Sequence, residues 1–185
     1  MKHDLFSSPL HVFDVPCHAA LKVALIEDIR QWREEDPEGI DRGRPDGGTW
    51  ESHHTAQHRP AFAPLAGAIE AVAEEAAPPG KRLAIGSMWA NVARERGFRV
   101  PHYHAGGLWA GVYYLALGDP PVPTTFLDPR GGAPHALVYN HTDSFELPAR
   151  EGELLLFPVW LLHYVRPRKF AGERVTVSLK LSLAA

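Results

Sequence analysis

Three histidines and one arginine form the pattern in this chain that most clearly indicates chemistry. His102 and His104 lie two residues apart, so on a β-strand both side chains point to the same face. His163 follows in a second apolar segment, and Arg174 begins a third. Three imidazoles on one face can bind an iron ion and leave other coordination positions open, and an arginine can bind a carboxylate. The pattern predicts an iron site beside an anion-binding group.

Other interpretations of these residues remain open from the pattern alone. His102 and His104 could be two histidines on a sheet face, one hydrogen-bonded and one solvated, and His163 could be a satisfied core histidine. The segment after residue 173 alternates between polar and apolar residues, so Arg174, Thr176 and Ser178 share one face. If that face is buried, an anionic partner is needed; if it faces solvent, none is.

The elements that must position these side chains fall into two parts. Apolar positions at helical spacing predict an amphipathic helix over about 19–35, and a second helix begins at Pro60 and ends before residue 78. A long loop, residues 37–60, separates them, and its part from Gly39 to Arg59 is either a candidate lid or a solvated loop. After residue 80 the chain reads as short strands between turns rich in Pro and Gly.

This order of elements predicts an α+β chain that is mainly β. We expect one domain over residues 1–185, in which residues 1–80 give helical support and residues 81–185 form the sheet core with the metal site. Edge strands of such sandwiches are often covered by a partner chain, so a homodimer is possible.

Composition excludes several classes of partner. The net charge is −3, and no block of Lys or Arg indicates a nucleic-acid or membrane surface. Cys17 is the single cysteine, so no intrachain disulfide can form. No signal peptide and no apolar run long enough to span a bilayer is visible, and we expect a cytoplasmic protein.

The chain resembles the 2-oxoglutarate/Fe(II)-dependent oxygenases, above all the 2OG-Fe(II) oxygenase family of small bacterial and phage proteins, with prolyl-hydroxylase-type enzymes as relatives. The segments that carry the resemblance are Trp89–Asn91, Pro101–His104, Ala110–Leu115, Phe126–Arg130, Gly152–His163 and Arg174–Ser178. Trp50-Glu51-Ser52 resembles the N-terminal part of that family. The resemblance implies a double-stranded β-helix, which is a jelly-roll or cupin-like core, braced by the two helices.

The resemblance also implies cofactors, reaction and roles. The cofactors are Fe(II) and 2-oxoglutarate, and the expected reaction uses O2 to hydroxylate an unactivated carbon of a small molecule. The implied site residues are His102 as the first iron ligand, His163 as the distal one, Arg174 with Thr176 or Ser178 for the far carboxylate of 2-oxoglutarate, and Tyr114 and Asn91 as further cosubstrate contacts.

One position departs from the wider superfamily. Most of its members carry Asp or Glu two residues after the first histidine, and this chain carries His104. Either His104 binds and the site has three histidines, or Asp128 or a water completes the shell. We favour His104, because it occupies the ligand position and a strand would place it on the same face as His102.

The substrate side of the site is less defined. The candidate substrate-binding residues are Trp89, Trp109, Asp128, Arg130 and Trp160. A buried tryptophan is also ordinary core, and Arg130 could simply pair with Asp128 in a turn.

Two other functions remain open from the sequence. A three-histidine, cupin-type dioxygenase would work without 2-oxoglutarate, and Arg174 would then anchor the substrate carboxylate. A non-catalytic β-sandwich protein would hold structural histidines or bind zinc in a closed shell.

Overall fold

The computed structural model describes residues 7–40, 48–129 and 144–184. Within these ranges the chain forms two α-helices and ten β-strands. In chain order they are β1 (His11–Asp14), α1 (His18–Glu35), β2 (Thr49–Glu51), α2 (Ala63–Ala73), β3 (Leu83–Ala93), β4 (Arg99–His102), β5 (Trp109–Ala116), β6 (Thr125–Leu127), β7 (Ser144–Glu146), β8 (Glu153–Pro158), β9 (His163–Val165) and β10 (Arg174–Leu183). Three short 3-10 turns lie at Ala56–His58, Pro60–Phe62 and Glu74–Ala76.

The strands form two antiparallel sheets. The larger has the order β1-β8-β5-β10-β3-β2, and the smaller has the order β4-β9-β6-β7. The long central strand β10 pairs with β3 on one side and with β5 on the other. β10 therefore occupies the middle of the larger sheet, where both edges of its backbone are satisfied by hydrogen bonds.

Both helices pack on one face of the larger sheet. Leu25 and Ile29 of α1 and Leu65 of α2 are buried in the same cluster as Val177 and Leu179 of β10. These β10 residues alternate with the polar ones, as a strand requires. The helices thus cover the apolar face of β10, and the face that carries Arg174 is turned the other way.

That other face meets the smaller sheet. Val112 of β5 and Leu155 and Phe157 of β8 pack with Phe126 of β6 in a second apolar cluster. The two sheets lie face to face around this cluster, and the polar face of β10 opens into a pocket beside it.

The predicted α+β, mainly β class is confirmed, as is the helix predicted over 19–35. The single domain and the exact double-stranded β-helix topology stay predictions. In the described ranges no helix is long and apolar enough to cross a membrane.

The predicted loop over residues 37–60 differs from the structure. It contains β2, which pairs with β3 through Trp50↔Val92 and Glu51↔Asn91. Trp50 is buried, and its indole N–H donates to the carbonyl of Asp36 at 2.9 Å. A strand this short lacks the length that makes period-two alternation visible in a sequence.

The strand predicted to carry both His102 and His104 also differs. β4 ends at His102, which pairs with His163 at the first residue of β9. The residues just before β9 form a turn closed by the N–H of Leu161, which donates to the carbonyl of Pro158. His104 therefore sits beyond the end of β4, and no strand of the described ranges lies opposite it.

Candidate metal centre and its anion-binding arginine

The three predicted imidazoles meet at one point between the sheets. His102, His104 and His163 each offer a ring nitrogen, and these atoms all lie within 4.8 Å of one another. His102 and His163 face each other across the β4–β9 pair, with ring centroids 4.3 Å apart. His104 completes the triangle at 5.2 Å from His102 and 5.1 Å from His163.

The backbone orients two of these rings. Nδ1 of His102 donates to the carbonyl of Val100, and Nδ1 of His163 donates to the carbonyl of Leu161, each at 2.9 Å. These bonds place the proton on Nδ1 and leave Nε2 with a free lone pair, which is the arrangement of most metal-binding histidines. The three rings can therefore bind a metal ion through three nitrogen donors.

Burial keeps the imidazoles of His104 and His163 neutral. The pKa of His163 is lowered to about 3, first by burial and then by the proximity of His102. The pKa of His104 is also lowered to about 3, again mainly by burial. The ring of Phe157 lies edge-on to His163 at 4.6 Å and shields it from solvent. A histidine must be neutral to bind a metal, so these environments favour the ligand form.

Arg174 lies on the same pocket and is only 4% exposed. Its Nε donates to the carbonyl of Val122 at 2.9 Å, and its Nη2 lies 3.4 Å from Oγ1 of Thr124. Among the described residues no carboxylate forms an ion pair with Arg174. A buried guanidinium normally needs an anion, so this arginine is suited to an anionic ligand.

Tyr114 supports that arginine. The guanidinium lies 5.5 Å from the centre of the Tyr114 ring. The tyrosine hydroxyl donates to Oγ1 of Thr124 at 3.0 Å and accepts from the Thr124 backbone N–H at 3.0 Å. Tyr114 does not line the pocket itself, but it contacts Arg174 and Thr124, which do.

The remaining polar residues of the predicted cosubstrate site also line the pocket. Thr176 and Ser178 lie on the Arg174 face of β10, and Asn91 lies on the neighbouring strand β3. Nδ2 of Asn91 donates to Oγ of Ser178 at 3.0 Å. Arg174, Thr176 and Ser178 share one face as expected, and of the two alternatives that the sequence left open the structure has this face turned into the pocket.

Only some of the predicted substrate-binding residues line the pocket. Trp89 lines the pocket and contacts His104 edge-on at 5.5 Å. Trp109 does not line it: its indole N–H donates to the carbonyl of Ala76 at 3.1 Å, on the helix side of the sheet. Trp160 is 51% exposed in the turn after β8 and does not line the pocket either.

Two further predicted residues do not join the site. Asp128 is half-buried just after β6, outside both the pocket lining and the histidine cluster. Arg130 lies outside the described residues.

The sequence interpretation missed part of the pocket wall. Glu51, His54 and Arg99 line the pocket, and Thr124 accepts the contact from Arg174. Glu51 carried a signal, because it belongs to a segment that resembles the family. The other three sit in short or irregular segments without periodicity, and their position depends on pairing between distant strands.

Two facing antiparallel sheets, three converging imidazoles and a buried arginine that pairs with no carboxylate in the described part of the chain are typical of the jelly-roll oxygenases that use a metal and an anionic cosubstrate. The family model described as putative 2OG-Fe(II) oxygenase matches residues 87–180. The chain belongs to that family, and its enzyme class is the oxygenase that uses Fe(II) and 2-oxoglutarate. Family membership favours this class over the cupin-type dioxygenase and the non-catalytic sandwich.

Solved structures share the fold at low sequence identity. HygX from Streptomyces hygroscopicus, with nickel, 2-oxoglutarate and hygromycin B bound, has a TM-score of 0.66 and 13% identity, covering 95% of this chain and 83% of its own. The α-ketoglutarate-dependent epimerase SnoN from nogalamycin biosynthesis gives 0.71 and 17%, covering 95% and 76%. A Pseudomonas putida prolyl-4-hydroxylase gives 0.64 and 15%, covering 97% and 95%. No curated protein matched the chain.

Proposed function

We propose that this oxygenase hydroxylates an unactivated carbon of a small molecule, with Fe(II) held by His102, His104 and His163 and with 2-oxoglutarate anchored by Arg174. The observation that carries the proposal is the shared pocket: three imidazoles line the same space as one buried guanidinium that forms no ion pair with a carboxylate among the described residues. A 2-oxoglutarate molecule has one end that chelates a metal and one carboxylate left for an arginine.

The protein contributes binding and orientation. The three histidines would hold the metal through their nitrogen atoms, and the backbone bonds to His102 and His163 keep their rings in place. When bound, Fe(II) with 2-oxoglutarate supplies the activation of O2 that oxidises the substrate carbon. Arg174 uses the N–H groups that Val122 and Thr124 leave available to bind the far carboxylate, in surroundings from which water is largely excluded.

The substrate would enter beside His104. Tyr103 is 67% exposed at the pocket rim, and Trp89 forms part of the inner wall. Aromatic walls with a few polar groups suit a small organic molecule. HygX was solved with hygromycin B and SnoN with nogalamycin RO, and both are small molecules. Because SnoN is an epimerase, hydroxylation is the part of the proposal that needs its own product test.

The cofactor proposal is tested by anaerobic titration of the metal-free protein with Fe(II) and then 2-oxoglutarate. We expect a weak visible charge-transfer band that requires both additions. The band should need more 2-oxoglutarate in Arg174→Met and should disappear in His104→Ala. Arg94→Met, which removes an exposed arginine, is the matched control and should titrate like the wild type. Metal binding without any band would overturn the cosubstrate proposal.

The reaction outcome is tested with a substrate found by screening small molecules for those that stimulate conversion of 2-oxoglutarate to succinate. Under labelled O2, hydroxylation adds one labelled oxygen atom to the product. A product of unchanged mass, or one that has lost two hydrogens, would replace hydroxylation with epimerisation or desaturation.

A further inference from the structure

Among the residues that the structure describes, two arginines line the pocket, and their environments are opposite. Arg174 lies at its Thr124 side and has no carboxylate partner among the described residues. Arg99 lies on the wall next to β2, where its side chain is 12% exposed and pairs with Glu51, whose side chain is 8% exposed. Both guanidiniums line the same space, and the carboxylate of Glu51 pairs with Arg99.

Arg99 is close enough to influence the anion site. Its Nη2 donates to Glu51 and also to Oδ1 of Asn91 at 3.1 Å. Asn91 in turn bonds Ser178 on the Arg174 face of β10. Two hydrogen bonds therefore connect Arg99 to the strand that carries the anion-binding arginine. The positive charge of Arg99 also contributes to lowering the pKa of Arg174, after the larger effect of burial.

The Glu51 carboxylate is held in place from several sides. Its backbone lies in β2 opposite Asn91, and its carbonyl accepts from the N–H of Ile40 at 2.8 Å. The second carboxylate oxygen, Oε1, lies 2.9 Å from Nε2 of His54, and the His54 ring stacks on Trp89 at 4.0 Å. A carboxylate fixed in this way loses little conformational entropy when it pairs with an arginine.

We propose that Glu51 is a specificity-determining residue that neutralises Arg99, so that Arg174 is the single anion anchor of the pocket. The inference builds on the proposed function in that 2-oxoglutarate is the anion concerned. Without Glu51, a dicarboxylate would meet two guanidiniums in one low-dielectric space. It could then bind by Arg99 instead of Arg174, with its other end directed away from the histidines.

A purely structural role for the pair makes a different prediction. If Glu51 and Arg99 serve only to tie β2 to β4, removing either one loosens the wall and weakens ligand binding. If Glu51 neutralises Arg99, removing Glu51 and removing Arg99 have opposite effects on anion affinity. The sign of the change separates the two roles.

The test measures calorimetric binding of glutarate to the metal-free protein. Glutarate is a five-carbon dicarboxylate without the keto group, so it reports the anion site and not metal chelation. We expect glutarate to bind about tenfold more tightly to Glu51→Gln and about tenfold more weakly to Arg99→Gln, because a unit charge beside a partly buried anion site acts on this scale. The double variant, with the charge balance restored, should lie near the wild type.

A second pair of variants shows where the extra anion binds. Arg174→Met alone should lose glutarate binding, and Glu51→Gln/Arg174→Met should regain it through Arg99. Unchanged or weaker binding in a folded Glu51→Gln variant would overturn the proposal, as would a gain that survives removal of Arg99. Glutarate binding absent from every variant would also overturn it.

Breaking a buried pair can unfold a protein, so thermal melts accompany each variant. If Glu51→Gln does not fold, the comparison of Arg99→Gln with the double variant gives the answer. The double variant must bind glutarate more tightly than Arg99→Gln, and equal affinities would overturn the proposal. The glutarate titration uses no iron, so its outcome does not depend on the Fe(II)–2-oxoglutarate band. Absence of that band would refute the proposed function without changing what the glutarate affinities say about Glu51.

Discussion

The backbone N–H of His104 donates to the carbonyl of Val159 at 2.9 Å. This bond ties the segment after β4 to the turn after β8, and it holds His104 at the histidine cluster although the residue lies beyond the end of its strand. The third ring of the cluster is therefore positioned by one tertiary hydrogen bond and by contact with Trp89.

The first prediction concerns His104 as a metal ligand. His104→Ala should weaken Fe(II) or Mn(II) binding by more than about 100-fold, because even residues that only support a ligand change metal affinity by 10- to 100-fold. Calorimetric titration of the metal-free protein measures the effect. His53→Ala, whose side chain is 61% exposed, is the matched histidine control and should bind like the wild type.

The alternative shell gives the contrary outcome. If His104→Ala binds metal normally and Asp128→Ala does not, the acidic residue completes the site and the three-histidine interpretation is wrong. The structure keeps Asp128 out of the cluster, so we expect Asp128→Ala to retain the metal.

The second prediction concerns Arg174 as the cosubstrate anchor. Arg174→Met should raise the dissociation constant for 2-oxoglutarate by about 30-fold or more, since loss of one partner of a buried charged pair costs about 2–5 kcal/mol. Arg174→Lys should restore only part of the affinity, because a lysine cannot reproduce the bonds from Nε and Nη2 to Val122 and Thr124.

Equilibrium binding to the metal-loaded protein under anaerobic conditions measures that constant directly. Arg94→Met controls for the general loss of a positive charge, because Arg94 pairs with Glu173 at the surface. If the Arg94 and Arg174 variants weaken 2-oxoglutarate equally, long-range charge and not a specific contact accounts for the affinity.

The sequence predicted the part of the site that regular strands carry. Arg174 and Ser178 lie on a ten-residue strand whose alternation is long enough to place them on one shared face, although it left open whether that face is buried. His163 follows an apolar strand that is buried throughout, so its position in the interior was also foreseeable. For these residues local periodicity defines which side chains share a face or an apolar segment.

The parts that the sequence did not predict depend on distant pairing. Glu51 and Arg99 come together because β2 pairs with β3 and because β4 lies on the other sheet. Trp109 was assigned to the pocket by residue type, but the pleat of β5 directs it towards the helices. Tryptophan suits both a core and a pocket, so residue type alone cannot separate the two faces of a strand.

The cytoplasmic location and the homodimer expected from the sequence stay predictions.

The third prediction concerns the pH dependence of stability through His18. Nδ1 of His18 lies 2.6 Å from the hydroxyl of Tyr113, and burial lowers the pKa of His18 although Glu151 partly opposes the shift. In the unfolded chain a histidine has a pKa near 6.5, so below that pH the unfolded state binds more protons than the folded state. The contribution of His18 to stability is thus present above about pH 6.5 and lost as the pH falls below it.

We therefore expect the difference in unfolding free energy between wild type and His18→Gln to shrink from pH 8 to pH 5. Urea unfolding of the metal-free protein at both pH values measures the difference. His58→Gln, at an exposed histidine, controls for the substitution itself. A difference that is constant or grows towards low pH would show that the lowered pKa of His18 is not coupled to folding.

The fourth prediction concerns the close approach of strands at Gly111. A Cβ added there would lie 2.8 Å from Cδ2 of Leu156 and 3.0 Å from Cγ of Leu179, both in the core between the sheet and the helices. Gly111→Ala should lower the unfolding free energy by about 1–3 kcal/mol, because the core must shift to admit a methyl group. Gly67→Ala in α2 is the matched control: a Cβ there meets nothing within 4 Å, and alanine favours the helix by about 0.5–1 kcal/mol. We expect the urea midpoint to fall in Gly111→Ala and to rise in Gly67→Ala. A higher midpoint in Gly111→Ala would contradict the close packing of Leu156 and Leu179 against Gly111.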